Sequence, residues 1–213
     1  MTTRLLTSRT DPARPALDLA PGLRLPLARV HEACGPARRT FALWLAGRMT
    51  GPVVWIAPSW EAGRLNPDGM IAFADPARFL FVSPRRSEDL LWACEESLRA
   101  GAVPLVVADL PGAPALTPVR RMHLAAEAAR DTTGTSPLGL LLTPGDGGAQ
   151  GVETRWNMAP AHAPGTRGWT LTRARARTAP VRHWHVTRRK GDMVLTPLDA
   201  PDDNPGNGRS GAR

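Results

Sequence analysis

The sequence predicts an α/β protein, with a mainly parallel sheet flanked by helices and an antiparallel hairpin extension at its C-terminal end. Two observations carry this. Short apolar runs at Pro52 to Ala57, Arg78 to Ser83, Val103 to Asp109 and Leu138 to Thr143, rich in Val, Leu and Phe, alternate with helix-like segments. A continuous apolar run suits a strand covered on both faces, as parallel strands are when crossover helices pack on each side. After Thr143 the pattern changes. Thr154 to Ala159, Gly168 to Arg177, Arg182 to Arg188 and Asp192 to Pro197 alternate or are rich in Thr, Val and Trp, with Gly and Pro between them. Such segments are expected to pair as antiparallel hairpins.

Taken in order, most of Met1 to Asp18 is expected to lack structure of its own, within an N-terminal extension over residues 1–26. The core is expected over 27–150. Its helices are predicted at Arg38 to Met49, more weakly around Leu65 to Ala74, then at Ser87 to Ala100 and Pro118 to Arg130. In the third of these Leu90, Leu91, Cys94 and Leu98 fall on one face, while Glu88, Asp89, Glu95, Glu96 and Arg99 lie largely elsewhere. Ser87 reads as its N-cap and Gly101 as its stop. Trp44, Trp55 and Trp92 sit in apolar segments and are expected to anchor the core. Pro144 to Gly151 holds four glycines and reads as a flexible loop. A basic antiparallel extension follows over 151–197, then a disordered tail over 198–213.

The chain's 213 residues suit one main core. No run of eighteen apolar residues occurs, and Met1 to Pro21 has charges and prolines where a secretion signal needs an apolar stretch. A cytoplasmic protein without membrane contact is expected. Cys34 and Cys94 are too few for a disulfide framework and read as reduced thiols. Of the net charge of +8, residues from Gly151 onward supply +6, with 11 basic and 5 acidic side chains. Lys190 is the only lysine. His183 and His185 share a strand face, but no third ligand is evident, so no metal site is expected. His31 and His123 read as packing or turn residues.

Two places invite chemistry. The first is the turn at Gly35, Pro36, Ala37, Arg38, Arg39 and Thr40, where a phosphate loop would stand. Such a loop needs glycine-rich backbone to wrap its N–H groups round phosphates, a lysine for the terminal phosphate and a hydroxyl for magnesium. Here the opening glycine and Thr40 are present, but the spacing is short, the second glycine is missing and Arg39 stands where lysine is needed. Arginine is a planar fork, a poor substitute for a compact point charge. An ordinary strand-to-helix turn is therefore expected, with Gly35, Pro36, Arg38, Arg39 and Thr40 as a vestige, no bound cofactor and no ATP hydrolysis. Asp109, at the end of an apolar strand, would hold magnesium in a nucleotide hydrolase; without a working loop it is expected to cap Pro111 to Gly112 or to accept neighbouring backbone N–H groups. Glu61 could occupy the place of a water-activating carboxylate.

The second is the C-terminal hairpins. Arg173, Arg175 and Arg177 alternate and would share a strand face. Arg182, Arg188, Arg189 and Lys190 extend the charge, with Trp169 and Trp184 close in sequence. Arginine with aromatic surface makes a platform for single-stranded nucleic acid. The competing reading is a solvated strand edge with both tryptophans in the core.

The order of segments resembles the RecA core domain. Val30, His31, Glu32, Ala33, Cys34, Gly35 and Pro36 are similar to its first strand and phosphate-loop start. Leu98 to Val103, then Val106, Val107 and Asp109, then Ala115 to Pro118 are similar to its helix, metal-aspartate strand and following turn. Within that superfamily the chain most resembles the ImuA family, on Leu25 to Gly35, Gly51 to Ile56, Arg85 to Gly101 with Glu88, Asp89, Leu91, Trp92 and Glu95, Pro118 to Glu127, Gly139 to Leu142, and Thr154, Arg155, Trp156. The resemblance implies a degenerate RecA-like core in a non-catalytic adaptor of SOS-induced, error-prone translesion DNA synthesis. Its partners would be an ImuB-like Y-family protein and, indirectly, a DnaE-type polymerase, with RecA and single-stranded DNA as further candidates. Two alternatives stay open: a DNA-stimulated ATPase of the RecA type, and a cell-division inhibitor resembling SulA.

Overall fold

The computed structural model of the protein describes residues 15–198 apart from Ala62, Thr178 and Lys190. The tail over 199–213, residues 1–14 and the Lys190 candidate lie outside the described residues. The elements are β1 (Ala16–Ala20), β2 (Leu23–Pro26), β3 (Val30–Cys34), α1 (Arg38–Gly47), β4 (Val53–Ile56), α2 (Pro67–Met70), β5 (Phe79–Val82), α3 (Ser87–Ala100), β6 (Leu105–Asp109), α4 (Leu116–Thr133), β7 (Leu138–Leu142), β8 (Thr154–Pro160), β9 (Gly168–Ala176), β10 (Arg182–Arg189) and β11 (Asp192–Pro197).

One nine-stranded sheet runs in the order β11-β10-β9-β8-β3-β7-β6-β4-β5. From β5 to β8 neighbouring strands are parallel, and from β8 to β11 they are antiparallel. The mainly parallel sheet with a hairpin extension is thus as the apolar runs predict. The junction falls inside the expected extension, because β8 lies parallel to β3 before turning back into β9.

Alternation along each strand builds a separate core on each face. On one face Ala33, Leu105, Val107, Leu140, Leu142, Trp55 and Trp156 pack with Phe41 and Leu45 of α1 and with Leu19, Leu23 and Leu25 of β1 and β2. On the other, Val30, Val54, Val106 and Leu141 meet Leu90, Cys94 and Leu98 of α3 and Val119, Met122 and Ala126 of α4. The β1–β2 hairpin therefore completes the first core, where sequence reading places a loose extension; its four-residue strand is too short for a periodic signal to stand out.

Several helix boundaries differ from expectation, α1 ending at Gly47 and α4 running Leu116–Thr133. Ser87 is the first helical residue, not the cap, which falls on Arg86 without a side-chain bond. Gly101 stops α3 in the left-handed region, at φ 59°. The segment around Leu65 to Ala74 holds only the short α2, started by Asn66, whose side chain accepts from the Asp68 N–H. Trp44 and Trp55 are buried, but Trp92 is 60% exposed on the outer side of α3, so it does not anchor the core. Arg78 closes the far end of α1, donating to the carbonyls of Ala46, Met49 and Gly51.

Candidate functional site

The turn from Gly35 to Thr40 stands at the C-terminal end of β3, between the parallel strand ends where open α/β sheets bind ligands. Gly35 has φ +84°, and a Cβ there would sit 2.6 Å from the Met158 carbonyl and 2.8 Å from Asn157 Oδ1, so the position admits only glycine. Its N–H donates to the Gly145 carbonyl at 2.8 Å, the Ala37 N–H to the Met158 carbonyl at 2.9 Å and the Arg38 N–H back to the Gly35 carbonyl at 3.2 Å. These N–H groups are spent on the chain's own carbonyls. Exposed Pro36 offers no N–H at all.

The charge of the turn is likewise balanced internally. α1 starts without a side-chain cap and without an acid in its first turn, and its first two residues are Arg38 and Arg39. Two cations at the positive end of a helix dipole are unfavourable unless an anion joins them. Asp109, 1% exposed at the end of β6, is that anion. Arg39 Nε donates to Asp109 Oδ2 at 2.5 Å, Arg38 Nε lies 3.5 Å from Oδ1, and Arg39 Nη2 lies 3.8 Å from Glu61 Oε2. Asp109 does not cap Pro111 to Gly112 as expected, because two guanidinium groups compete better for a buried carboxylate than exposed backbone does. Thr40 is half-buried, and its hydroxyl makes no hydrogen bond among the described residues. Beside this chain of charges, a cavity of about 280 Å³ is walled by Trp55, Leu65 and Phe81, with Arg39, Glu61 and Arg64 on its polar side.

Sequence reading missed the residue that fixes this geometry. Glu32 is fully buried and accepts from the Thr143 hydroxyl at 2.6 Å, the Gly148 N–H at 2.8 Å, the Ala149 N–H at 3.0 Å and Arg155 Nε. Residues 144–151 are therefore wrapped round a carboxylate rather than free as a flexible loop. A Cβ on Gly147 would come 2.8 Å from Glu32 Oε1. The wrapped loop in turn presents the Gly145 carbonyl to Gly35. The available signal was a carboxylate inside a fully buried strand, which must find donors or not fold.

The basic ridge is broken up by the backbone. Arg155 pairs with Arg175 and Trp156 with Arg173, leaving Ala174 as an extra residue in β9. This bulge turns Arg173 and Arg175 to opposite faces. Arg173 joins the core side, 9% exposed, with its guanidinium 5.9 Å from the Trp156 ring and 5.7 Å from the Trp184 ring. Arg175, Arg177, Arg182 and Arg189 are exposed, whereas Arg188 donates to the Ala72 carbonyl and lies over Phe73. Trp169 and Trp184 are 5% and 2% exposed, packed as core residues, so neither is open to a base. His183 is exposed and bonds the Thr172 hydroxyl at 3.0 Å. Among the described residues no group of three metal-ligating side chains converges, and no helix is long and apolar enough to cross a membrane.

Both cysteines are buried, and burial pushes their thiols up, Cys34 to about 11 and Cys94 to about 12. Thiols so held are poor nucleophiles. His31 is buried between the Thr154 hydroxyl and the Pro26 carbonyl, and desolvation lowers it to about 4. His123 accepts from the Val30 N–H and bonds the Gly151 carbonyl; burial lowers it as well. Both are structural imidazoles, neutral near pH 7.

No protein-family model matches the chain, and no curated protein matches it.

Proposed function

We propose that the chain is a RecA-like protein of the ImuA type that works as a non-catalytic adaptor in SOS-induced, error-prone translesion DNA synthesis, binding an ImuB-like Y-family protein and through it a DnaE-type polymerase. The family part of this reading rests on the sequence resemblance. The non-catalytic part rests on one observation, the Arg39–Asp109 ion pair at 2.5 Å. In a nucleotide hydrolase the cation at the helix start faces phosphate and the aspartate faces magnesium. Here each faces the other, and the N–H groups of Gly35 and Ala37 that would cradle phosphate are already bonded.

The adaptor part is supported by the outer edge of the sheet. β5 ends the sheet order, and along it Leu80, Phe81 and Val82 are 54%, 57% and 36% exposed. An apolar strand with an open hydrogen-bonding edge is where another chain adds by strand pairing. Arg85 and Arg86 follow it in sequence, favouring an acidic partner.

The test is nucleotide binding and hydrolysis by the purified chain, with and without single-stranded DNA, alongside capture of an ImuB-like protein. The expected result is capture without turnover. ATP turnover lost in Arg39→Ala would overturn the non-catalytic reading and make this a DNA-stimulated ATPase. Absence of turnover with capture of a division protein in place of the ImuB-like one would overturn the adaptor reading.

A further inference from the structure

The β5 edge offers more than exposed apolar surface, because its backbone has a definite phase. The Ala57 N–H donates to the Val82 carbonyl at 3.0 Å and the Ser59 N–H to the Pro84 carbonyl at 3.0 Å, so the ladder with β4 runs past the end of both strands. Along an extended strand the N–H and C=O of one residue point to one side and those of the next to the other. Val82 and Pro84 therefore look toward β4, while Phe81 and Ser83 look outward, to the side where the sheet order ends. Phe79 looks outward too, but its N–H already bonds the Pro76 carbonyl. The open edge is thus short and centred on Phe81.

Side chains along this edge divide between two faces. Phe81 stacks on Phe79, with ring centroids 6.3 Å apart, and Phe79 lies against Trp55 in the core on the α1 side. Leu80 and Val82 point to the α3 side. A strand laid beside Phe81 meets apolar surface on both faces, so three successive apolar residues suit it and a charge among them does not. On the α1 side it reaches the cavity of about 280 Å³ walled by Trp55, Leu65, Phe81 and Val82. That volume lies below the roughly 300–1,000 Å³ of pockets that enclose a whole drug-sized ligand. One bulky side chain fits it better. Trp55, 3% exposed, closes the cavity from the core, giving an aromatic or long aliphatic group a ring to pack on.

We infer that β5 takes up an extended segment of the partner that carries three apolar residues in a row, the middle one filling the Trp55–Leu65 cavity, with acidic residues beyond them toward the exposed Arg85 and Arg86. This rests on the adaptor reading for a partner at the edge and adds what that partner must carry. A second copy of the chain suits the edge less well. In a two-fold pair centred on Phe81 it would supply the apolar run but set Ala77 and Pro76, not acids, across from Arg85 and Arg86.

The experiment titrates the full chain by calorimetry with capped heptapeptides Asp-Thr-Val-X-Val-Thr-Asp, in which X is Phe, Leu, Met or Ala. Saturable one-to-one binding is expected with Phe, Leu or Met, weakened about tenfold with Ala and weakened likewise by Leu65→Trp, which fills the cavity from a half-buried position. N-methylation of alternate peptide amides should abolish binding in one phase and spare it in the other, as strand pairing requires. No saturable binding by the Phe, Leu or Met peptide, or binding indifferent to X, overturns the inference; the adaptor reading survives that failure if the proposed partner is still captured and Leu80→Lys releases it. Peptide binding without capture of the partner keeps the inference and removes the adaptor reading's choice of protein. A chain that sediments at twice its 22.9 kDa and becomes monomeric on Leu80→Lys gives the edge to a second copy, which also overturns the inference.

Discussion

Arg39 Nε and Asp109 Oδ2 meet at 2.5 Å, joining the start of α1 to the end of β6. Asp109 is buried, while Arg38 and Arg39 remain partly open to water. Removing the carboxylate leaves two like charges facing each other, but solvent moderates the cost. Asp109→Asn is therefore expected to lower stability by about 2 kcal/mol, less than a fully buried pair would lose. A urea midpoint equal to that of the unaltered chain would show the pair to be idle. The same variant should gain no ATP binding, because the Gly35 and Ala37 N–H groups stay bonded.

Gly35 and Gly69 form a matched pair of tests. A Cβ at Gly35 meets the Met158 carbonyl at 2.6 Å and would sit on a positive φ, so Gly35→Ala should cost about 2 kcal/mol or more. At Gly69, inside α2, a Cβ meets nothing within 4 Å. Gly69→Ala should stabilise by a few tenths of a kcal/mol through helix propensity. Thermal melts that rank the two variants the other way would contradict the account of the turn.

His31 sets a pH dependence. Its imidazole is lowered to about 4 in the fold from an ordinary 6.5, mainly by burial. Between these values the unfolded chain binds a proton that the folded chain refuses, so unfolding gains as pH falls. The contribution is fully present above pH 6.5 and fades as pH drops toward 4, by about 3 kcal/mol in all. His123 shifts in the same direction. Urea midpoints measured from pH 7.5 down to 4.5 should fall less steeply in His31→Gln than in the unaltered chain; parallel curves would remove His31 from the explanation.

Leu80 tests the open sheet edge. It is 54% exposed on β5, so Leu80→Lys should change stability by no more than about 0.5 kcal/mol. A lysine on an edge strand opposes pairing with another chain. Capture of the proposed ImuB-like partner should therefore drop sharply while the melting temperature holds. Capture unaffected by the lysine would move the partner surface elsewhere.

The parallel strands β4, β5, β6 and β7 are legible because each is an almost unbroken apolar run, whereas β3, equally parallel, carries His31 and Glu32 and has no such signal. The range of α3 is legible from the Gly101 stop and the four-residue spacing of Leu90, Cys94 and Leu98, although its cap falls on Arg86 and not on Ser87. The β1–β2 hairpin was not, since Leu19, Leu23 and Leu25 become core only when the sheet is there to receive them. At the candidate site, the sequence shows that the Gly35 turn departs from a phosphate-loop pattern at Arg39, but not what holds the turn in place. That needs Asp109, Met158 and Gly145 brought together from distant strands, and no local spacing encodes it. The arginine ridge misled for a related reason: period-two counting assumes an unbroken strand, and Ala174 breaks it.

That one alanine acts as a phase slip in the chain. Upstream of it, β9 sends Leu171 and Arg173 inward; downstream, the same odd-numbered positions face water. Deleting Ala174 would remove the bulge yet leave Arg175 opposite Arg155 and facing water, whereas a regular strand that kept Ala174 would carry Arg175 to the tryptophan side. The spacing between arginines in this strand is thus fixed by a residue whose own side chain is only a methyl group.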